Sequence, residues 1–293
     1  MSTQTQPIQA SSALGTLQGL LEKYKQQIAV ALPRHLTPER MIRVAITAVS
    51  QTPALQQCTP ISIAGCIVQA SILGLEPNGA LGEAYLVPFS NKKTGKKECQ
   101  LIPGYLGLIK LVRNSGELIM INAQPVRAKD DFDFEDGLDP FLRHKRAPGS
   151  PEERGAITHY WAGAVLKGGG KQFVVMTTSE VKAHRDKYSK AKDSGPWVSE
   201  FDAMACKTCL RKLVKFLPKS IEAQVAVNLD ERHEAGLTQR FMVDVPLELQ
   251  PAGDDGEETT ERPAITMPQR VAGATAMTEE QMRAEEADQS AAK

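Results

Sequence analysis

The stretch from residue 74 to residue 116 constrains the fold most, because it specifies a turn, two strands and a helix with little spacer between them. Bulky and smaller residues alternate over 84–89, which is the period of a half-buried strand. A polar loop over 91–97 contains four lysines, and a second apolar run follows at 99–102. This pattern predicts a β-hairpin with a basic tip.

A short helix is predicted directly after the hairpin. Pro103 and Gly104 break the second strand, and Gly116 supplies a C-terminal stop. At about 100° per residue, one side of this helix is apolar and contains Leu108, Ile109, Leu111 and Val112. The opposite stripe contains Leu106, Lys110 and Arg113.

Helices are also predicted before this stretch. Apolar residues between Leu14 and Leu32 suggest one helix, and Thr37 followed by Pro38 is a strong start for a second that extends to about residue 50. A more apolar helix is expected over 60–73. These helices carry little charge, so we expect them to pack on the core or on a neighbouring subunit.

After the central stretch, strands again occur in pairs. A strand is predicted over 118–128, an acidic turn-rich patch over 130–139, and a hairpin from 156–167 and 171–177 around three glycines. The strands form hairpins and do not alternate with helices. The predicted fold class is therefore α+β, an antiparallel sheet built from β-hairpins with helices packed against it, flanked by N-terminal helices and a disordered C-terminal tail.

Two further helices are expected to complete the core. Thr177 and Glu180 form a capping box for the first, while Ser199 caps the second, which Pro218 terminates. The apolar face of that last helix contains Cys206, Cys209, Leu210, Leu213 and Leu217. A separate cationic stripe is predicted from residues that recur every four positions, Lys207, Arg211 and Lys215.

Charge is distributed unevenly along the chain, although the formal net charge is zero. Residues 82–220 carry a net charge of +8 and residues 221–293 carry −10. A basic middle beside an acidic end is typical of a polyanion-binding domain with an acidic tail, although solvated surface charge is an equal alternative. We predict an N-terminal arm and helix at 1–35, a core at 36–235 and an acidic flexible tail at 236–293, with a linker over 246–276 and a short helix starting near 278.

Five cysteines form an odd set in a chain with no secretory signal and no long apolar run. A reducing cytoplasm is the expected compartment. Cys206 and Cys209 could form half of a metal site, but no second close pair of Cys or His accompanies them. We therefore predict that both pack in the core.

Few enzymatic chemistries fit the sequence. Both Gly-Lys pairs, at 95–96 and 170–171, lack the Ser or Thr of a phosphate-binding loop, and neither a metal-ligand spacing of histidines nor a nucleophile triad is evident. One enzymatic alternative is a metal-dependent nuclease that uses Glu180 and Lys182 with the carboxylates of Asp130, Asp131, Asp133, Glu135 and Asp136. Against it, the capping box already explains Glu180, and a turn explains the acidic run. We predict no covalent active site and no cofactor.

Three blocks of sequence resemble the RecT family of phage-type single-strand DNA annealing proteins. They are EAYLVPF, QLIPGYLGLIKLVRNSG and GPWVSEFDAMACKTCLRKLVKFLP, and the resemblance extends from about Leu32 to about Asp230. The residue after Gly104-Tyr105 is usually basic in relatives, whereas it is Leu106 here.

The resemblance implies a DNA recombinase that anneals complementary single strands in homologous recombination without ATP. It further implies homo-oligomeric rings or helical filaments and a partner exonuclease. The exonuclease, and a host single-strand binding protein, are expected to bind through the C-terminal tail. A different class stays open: a protein that coats single-stranded DNA without annealing it.

Annealing requires the backbone to be held while the base edges stay free to pair. We predict that phosphates are bound by basic residues of the hairpin tip, the following helix and the last helix, namely Lys92, Lys93, Lys96, Lys97, Lys110, Arg113, Lys207, Arg211 and Lys215. Gly104 and Gly107 would permit close backbone approach. Tyr105 and Trp197 could stack on bases or sugars, although a Trp after Gly-Pro is at least as often a core anchor.

Overall fold

The computed structural model describes residues 8–34, 36–239, 241 and 245–250. Its helices are α1 (Ile8–Lys23), α2 (Lys25–Ala31), α3 (Pro38–Gln51), α4 (Pro60–Leu73), α5 (Tyr105–Arg113), α6 (Thr178–Tyr188), α7 (Pro196–Ser199), α8 (Phe201–Val214) and α9 (Ile221–Glu234). Its strands are β1 (Ala84–Ser90), β2 (Lys97–Pro103), β3 (Leu118–Arg127), β4 (Asp131–Glu135), β5 (Phe141–Lys145), β6 (Ile157–Leu166) and β7 (Lys171–Thr177). The α+β class with antiparallel sheets is confirmed.

The predicted signals at the N-terminal helices are confirmed. The Thr37 hydroxyl accepts a hydrogen bond from the Arg40 amide at 3.3 Å, and Pro38 occupies the first turn of α3. Gly74 ends α4 in the left-handed conformation, with φ of 66°. A side chain on Gly74 would also meet the Pro33 ring, because an added Cβ would lie 2.8 Å from Pro33 Cγ. Helix α4 is almost completely buried, between α1, α2, α3 and strand β2.

The strands of the described residues form three small antiparallel sheets. Strands β1 and β2 pair as a hairpin, β3, β6 and β7 form a three-stranded sheet in the order β3-β6-β7, and β4 pairs with β5. The acidic patch over 130–139, which was predicted to be turn-rich, contains a strand, because residues 131–135 form β4. Phe132 and Phe134, which alternate along β4, pack on each other with ring centroids 5.5 Å apart.

The three-stranded sheet has two different faces. Tyr160, Ala162 and Ala164 of β6 are buried on the face that packs on α8, where Cys209 Sγ lies 3.6 Å from the Tyr160 carbonyl oxygen. His159 and Trp161 point the other way, toward the β4–β5 hairpin, and their rings contact Phe132 and His144. We call this second side the outer face of the sheet.

The N-terminus of the predicted last helix is corrected, and a further helix follows it. Glu200, and not Ser199, is the N-cap of α8, because Ser199 ends the short helix α7. Helix α9, which the sequence patterns did not predict, follows α8 and packs on both β2 and α5. Ser220 caps α9 by accepting a hydrogen bond from the Ala223 amide at 3.3 Å.

The chain beyond α9 remains in contact with the core. The Gln239 amide donates to the Leu101 and Leu229 carbonyl oxygens at 2.7 and 3.0 Å, and Val245 and Leu249 are buried. The prediction of a flexible linker that begins at residue 246 is therefore wrong for residues 246–250. The rest of the predicted linker and the helix near 278 lie outside the described residues.

The five cysteines are free thiols, four buried and Cys206 half-buried. Burial raises the pKa of the Cys206 and Cys209 thiols to about 12. This confirms core packing for the pair. Among the described residues, no helix combines the length and apolar character needed to cross a membrane.

Candidate nucleic-acid interface

The tip of the β1–β2 hairpin presents four exposed lysines, Lys92, Lys93, Lys96 and Lys97. The turn beneath them is fixed by a buried polar pair. Asn91 Nδ2 donates to both carboxylate oxygens of Glu98 at 3.1 Å, and Asn91 Oδ1 accepts from the Lys93 amide at 2.9 Å. Because Asn91 and Glu98 are buried, the turn is held from within while its lysine residues are exposed. Lys97 also donates to Gln57 Oε1 at 2.5 Å.

An aromatic strand face extends from this tip toward α5. Tyr85 is 46% exposed, and Val87 and Phe89 are half-buried on the same side of β1. The Tyr85 ring lies beside Gly82 and Gly104. Tyr85 was not among the predicted site residues, although the alternation along 84–89 places it on one face with Val87 and Phe89.

Gly104 and Gly107 permit close backbone approach as expected, but the approaching backbone is the chain's own. An added Cβ at Gly104 would lie 2.0 Å from the Gly82 carbonyl oxygen, and one at Gly107 would lie 2.0 Å from that of Glu83. The Gly104 amide also donates to the Glu83 carbonyl at 2.8 Å. The two glycines therefore seat α5 on the loop before β1.

Lys110 of α5 also contacts the loop before β1. Its ammonium group donates to both carboxylate oxygens of Glu83 at 2.8 Å and to the Gly74 carbonyl at 2.9 Å. Arg113, one turn further along α5, is exposed and forms no ion pair within the described part of the chain. Leu106 is exposed near the start of α5.

The expected exposed stripe on α8 is wrong for Lys207 and Arg211. Arg211 is 6% exposed and donates to Asp230 Oδ2 at 2.8 Å and to the Glu234 carboxylate. Lys207 donates to the other oxygen of Asp230 at 2.5 Å. Burial opposes ionisation of Asp230, but Lys207 and Arg211 hold its pKa below the ordinary value. Lys215 is exposed and forms an ion pair with Glu231 at 2.8 Å.

The two aromatic candidates differ in exposure. Trp197 is buried and packs on Phe201 with ring centroids 5.8 Å apart, so it is a core anchor. Tyr105 is half-buried against the core, and this burial raises its pKa. Neither ring presents an open face comparable to that of Tyr85.

Asp130 and Glu180, two carboxylates that the nuclease alternative requires, have structural partners. Asp130 is buried, and it accepts hydrogen bonds from the Arg154 guanidinium at 2.6 and 2.9 Å, from the Ala147 amide at 3.0 Å and from His144 Nε2 at 3.1 Å. These bonds, Arg154 foremost, hold its pKa well below the usual range. Glu180 completes the capping box with Thr177. Within the described ranges, no group of three or more His, Cys, Asp or Glu side chains could hold a metal ion.

The predicted site residues therefore divide into two groups. The hairpin tip, Arg113 and Lys215 present cations to solvent, whereas Lys110, Lys207 and Arg211 serve internal ion pairs. With Tyr85 and Phe89 on β1, the hairpin combines cations with aromatic rings. That combination suits a flexible polyanion whose bases can stack.

Comparison with known proteins gives one family and two relatives. The model of the RecT family matches residues 39–242. Protein RecT of Escherichia coli (strain K12) is 51% identical over 210 residues, which cover 71% of this chain and 77% of that protein. Uncharacterized protein YqaK of Bacillus subtilis (strain 168) is 29% identical over 213 residues, or 72% of this chain and 70% of that protein.

Proposed function

The chain belongs to the RecT family, and on that premise we propose that it binds single-stranded DNA and anneals complementary strands without ATP. The coarser role, a recombination protein of the RecT type, comes with the family. The proposal adds the annealing activity, its independence of nucleotide and the residues that hold the strand.

The main support for the proposal is that the exposed lysines lie in a turn whose conformation is fixed by the buried hydrogen bonds between Asn91 and Glu98. A protein that neutralises phosphates releases their counterions, which supplies most of the affinity of sequence-independent binding. Asn91 and Glu98 hold the turn before any ligand arrives, so little ordering of the loop opposes binding. Neutralised phosphates also let two strands of like charge approach.

Aromatic contacts would complement the lysines. Stacking of a base on an aromatic ring tolerates any sequence and contributes about 1–3 kcal/mol per base. Tyr85 offers an exposed ring next to Arg113's helix, and Phe89 lies nearer the hairpin tip. We assign strand contact to Lys92, Lys93, Lys96, Lys97, Tyr85 and Arg113, and not to the internally paired Lys110, Lys207 and Arg211.

The wider role is part of the same proposal. The chain acts in the cytoplasm in homologous recombination, as a ring or helical filament that aligns many bases. A partner exonuclease generates the single strands, and this enzyme and a host single-strand binding protein dock on the region at 236–293. The resemblance and the acidity of that region support these statements.

Annealing is tested by mixing two complementary labelled oligonucleotides with the protein in the absence of any nucleotide triphosphate. The protein should accelerate duplex formation. A protein that only coats single strands would bind both oligonucleotides and slow their pairing, which would reject annealing. Acceleration that requires ATP would reject nucleotide independence.

The strand-contact residues are tested by the double variant Lys92→Ala/Lys96→Ala. Each lost phosphate contact should reduce the slope of log affinity against log salt by about 0.7 for a single strand, so the double variant should lose about 1.4. The matched control is Lys187→Ala/Lys190→Ala, two exposed lysines in and just after α6. Equal losses in both variants would indicate diffuse attraction and reject the hairpin tip as the binding site.

A further inference from the structure

A cleft of about 240 Å3 opens between the β4–β5 hairpin and the outer face of the three-stranded sheet. Its walls include Met120, Leu142, Trp161 and Phe173. Gly163 keeps part of it open, because an added Cβ would lie 3.3 Å from the Trp161 ring and 3.6 Å from Phe173 Cβ. We call this space the β4–β5 cleft, and most of the residues that line it are apolar.

One lysine, Lys171, lines the cleft, and three carboxylates stand next to it. Glu135, Asp136 and Asp139 are exposed at the tip of the β4–β5 hairpin, next to Pro140 at the cleft wall. None of these three carboxylates forms an ion pair with another described residue. They would repel phosphates, and they would equally repel residues 251–293 of the chain, which contain ten Asp and Glu residues against four Lys and Arg residues. The cleft therefore suits an apolar side chain flanked by cations.

The turn between α8 and α9 has that chemistry. Phe216 is 71% exposed and Ile221 is 73% exposed, and the lysines around them are Lys212, Lys215 and Lys219. The turn is held at both ends. Lys219 Nζ donates to the Lys215 carbonyl at 3.0 Å, and Ser220 caps α9. We call these five residues the α8–α9 knob.

We propose that the α8–α9 knob of one copy of the chain inserts into the β4–β5 cleft of a second copy. This inference rests on the proposed function, which requires self-assembly. Helix α8, from which the knob extends, packs on the face of the sheet opposite to the cleft, so knob and cleft serve different neighbours. Lys212, Lys219 and Lys215, of which Lys215 also pairs with Glu231 of its own copy, would face the three carboxylates of the hairpin tip. Lys171 at the cleft and Glu222 beside the knob are a further pair of opposite charges.

A contact between two different surfaces is heterologous. Such a contact repeats from copy to copy, and it produces a ring if the rotation closes and a helical filament if it does not. The knob and the cleft thus give a structural origin for the open or cyclic assemblies that the proposed function requires.

The test uses variants that each damage one of the two surfaces in the full-length protein. Phe216→Ser/Ile221→Ser removes the apolar part of the knob, and Met120→Lys places a cation in the cleft wall opposite a cationic knob. Each should raise the protein concentration for half-assembly by about tenfold or more in sedimentation or mass photometry with single-stranded DNA, as for an aromatic hot spot. Val198→Ser and Ile119→Lys are the matched controls, since these exposed residues lie outside both surfaces, and they should assemble like the wild type.

Mixing the two damaged variants gives the decisive result. Each retains one intact surface, so an equimolar mixture should form heterodimers through one intact interface and nothing larger. Monomers only, or unrestricted assembly of either variant alone, would overturn the proposal. A wild type that stays monomeric with and without DNA would also overturn it.

Folding and annealing are checked separately. If thermal unfolding shows that Met120→Lys is misfolded, Asp136→Lys/Asp139→Lys at the exposed hairpin tip replaces it and must give the same mixing result. Wild-type annealing measured in the oligonucleotide assay distinguishes the two proposals. Annealing that persists while the variants assemble normally rejects only the interface, whereas assembly through knob and cleft without annealing rejects only the proposed activity.

Discussion

Arg211 connects three elements through buried charge. Its guanidinium bonds Asp230 and Glu234 of α9 and lies 3.2 Å from His184 Nε2 of α6. A buried charge that loses its partner costs far more than an exposed one, because water does not replace the missing bond. This residue therefore belongs to the stability of the core.

Arg211→Ala should lower the free energy of unfolding by about 3–5 kcal/mol, since it leaves two carboxylates buried with fewer partners. Lys215→Ala, on the same helix side but exposed, should change it by no more than about 0.5 kcal/mol. Urea unfolding of both variants measures the difference. Similar small changes for the two substitutions would contradict the buried network.

His184 should make stability depend on pH. Burial, together with the nearby Arg211, lowers the pKa of His184 to about 4, whereas the unfolded value is about 6.5. Between these values the unfolded chain binds a proton that the native protein does not, so stability falls as the pH falls. We expect a loss of about 2 kcal/mol between pH 7 and pH 5.

His184→Gln should remove that part of the pH dependence in urea unfolding at the two pH values. A shallower dependence should remain, because burial also lowers the pKa of His233. An unchanged slope in His184→Gln would show that this histidine is not the titrating group.

At the scale of elements, the seating of α5 against the loop before β1 orients the proposed interface. Gly104, Gly107 and the Lys110–Glu83 ion pair fix the helix from one side, and its apolar face is buried. Arg113 and Tyr85 thus have defined positions beside the hairpin. The interface depends on this packing although neither glycine needs to contact DNA.

The sign of the stability change in Gly107→Ala tests whether α5 is packed against the loop before β1. In an exposed helix interior, alanine stabilises relative to glycine by roughly 0.5–1 kcal/mol. Here the added Cβ would meet the Glu83 carbonyl oxygen, so we expect destabilisation of about 1–3 kcal/mol in thermal or urea unfolding. Leu106→Ala, one position earlier and exposed, is the matched control. A gain in stability for Gly107→Ala would mean that α5 is not held against the loop.

At the scale of the whole molecule, the segment after α9 joins distant parts of the core. Gln239 bonds β2 and α9, and Phe241 and Leu249 lie over Gly65 of α4, where an added Cβ would be 2.5 Å from the Leu249 carbonyl oxygen. Tyr24, between α1 and α2, donates to the Glu248 carboxylate. The described residues of this segment, 236–239, 241 and 245–250, are therefore packed on the core.

Two truncated chains should show which C-terminal residues stabilise the folded core. A chain that ends at residue 250 should unfold at the same temperature as the full chain. A chain that ends at residue 236 loses the buried Val245 and Leu249, and its midpoint should fall by about 2–4 °C for each kcal/mol lost. Leu249→Ala in the full chain should cost about 2–5 kcal/mol. Equal midpoints for the two truncations would contradict the docked segment.

The sequence by itself determined the elements whose signals are local. The β1–β2 hairpin, α5, the capping box of α6 and the α+β class follow from alternation, turn residues and caps, which act within a few positions of the chain. Helix α9 carried no such strong periodic signal and was missed. The family also follows from sequence, because ordered blocks are far more specific than any single motif.

Only the tertiary structure decided which charges face solvent. A helical wheel gives the direction of Lys207 and Arg211, but it does not show that carboxylates of α9 lie in that direction and bury them. The sequence likewise does not show that Lys110 forms an ion pair with Glu83. Nor does it show that the backbone close to Gly107 is the Glu83 carbonyl of the chain itself and not a ligand. Exposure depends on what packs against a residue, and that partner is often remote in sequence. The hairpin tip is exposed as predicted, because the bonds that fix its turn, from Asn91 to Glu98 and from the Lys93 amide to Asn91, lie within ten residues of the chain.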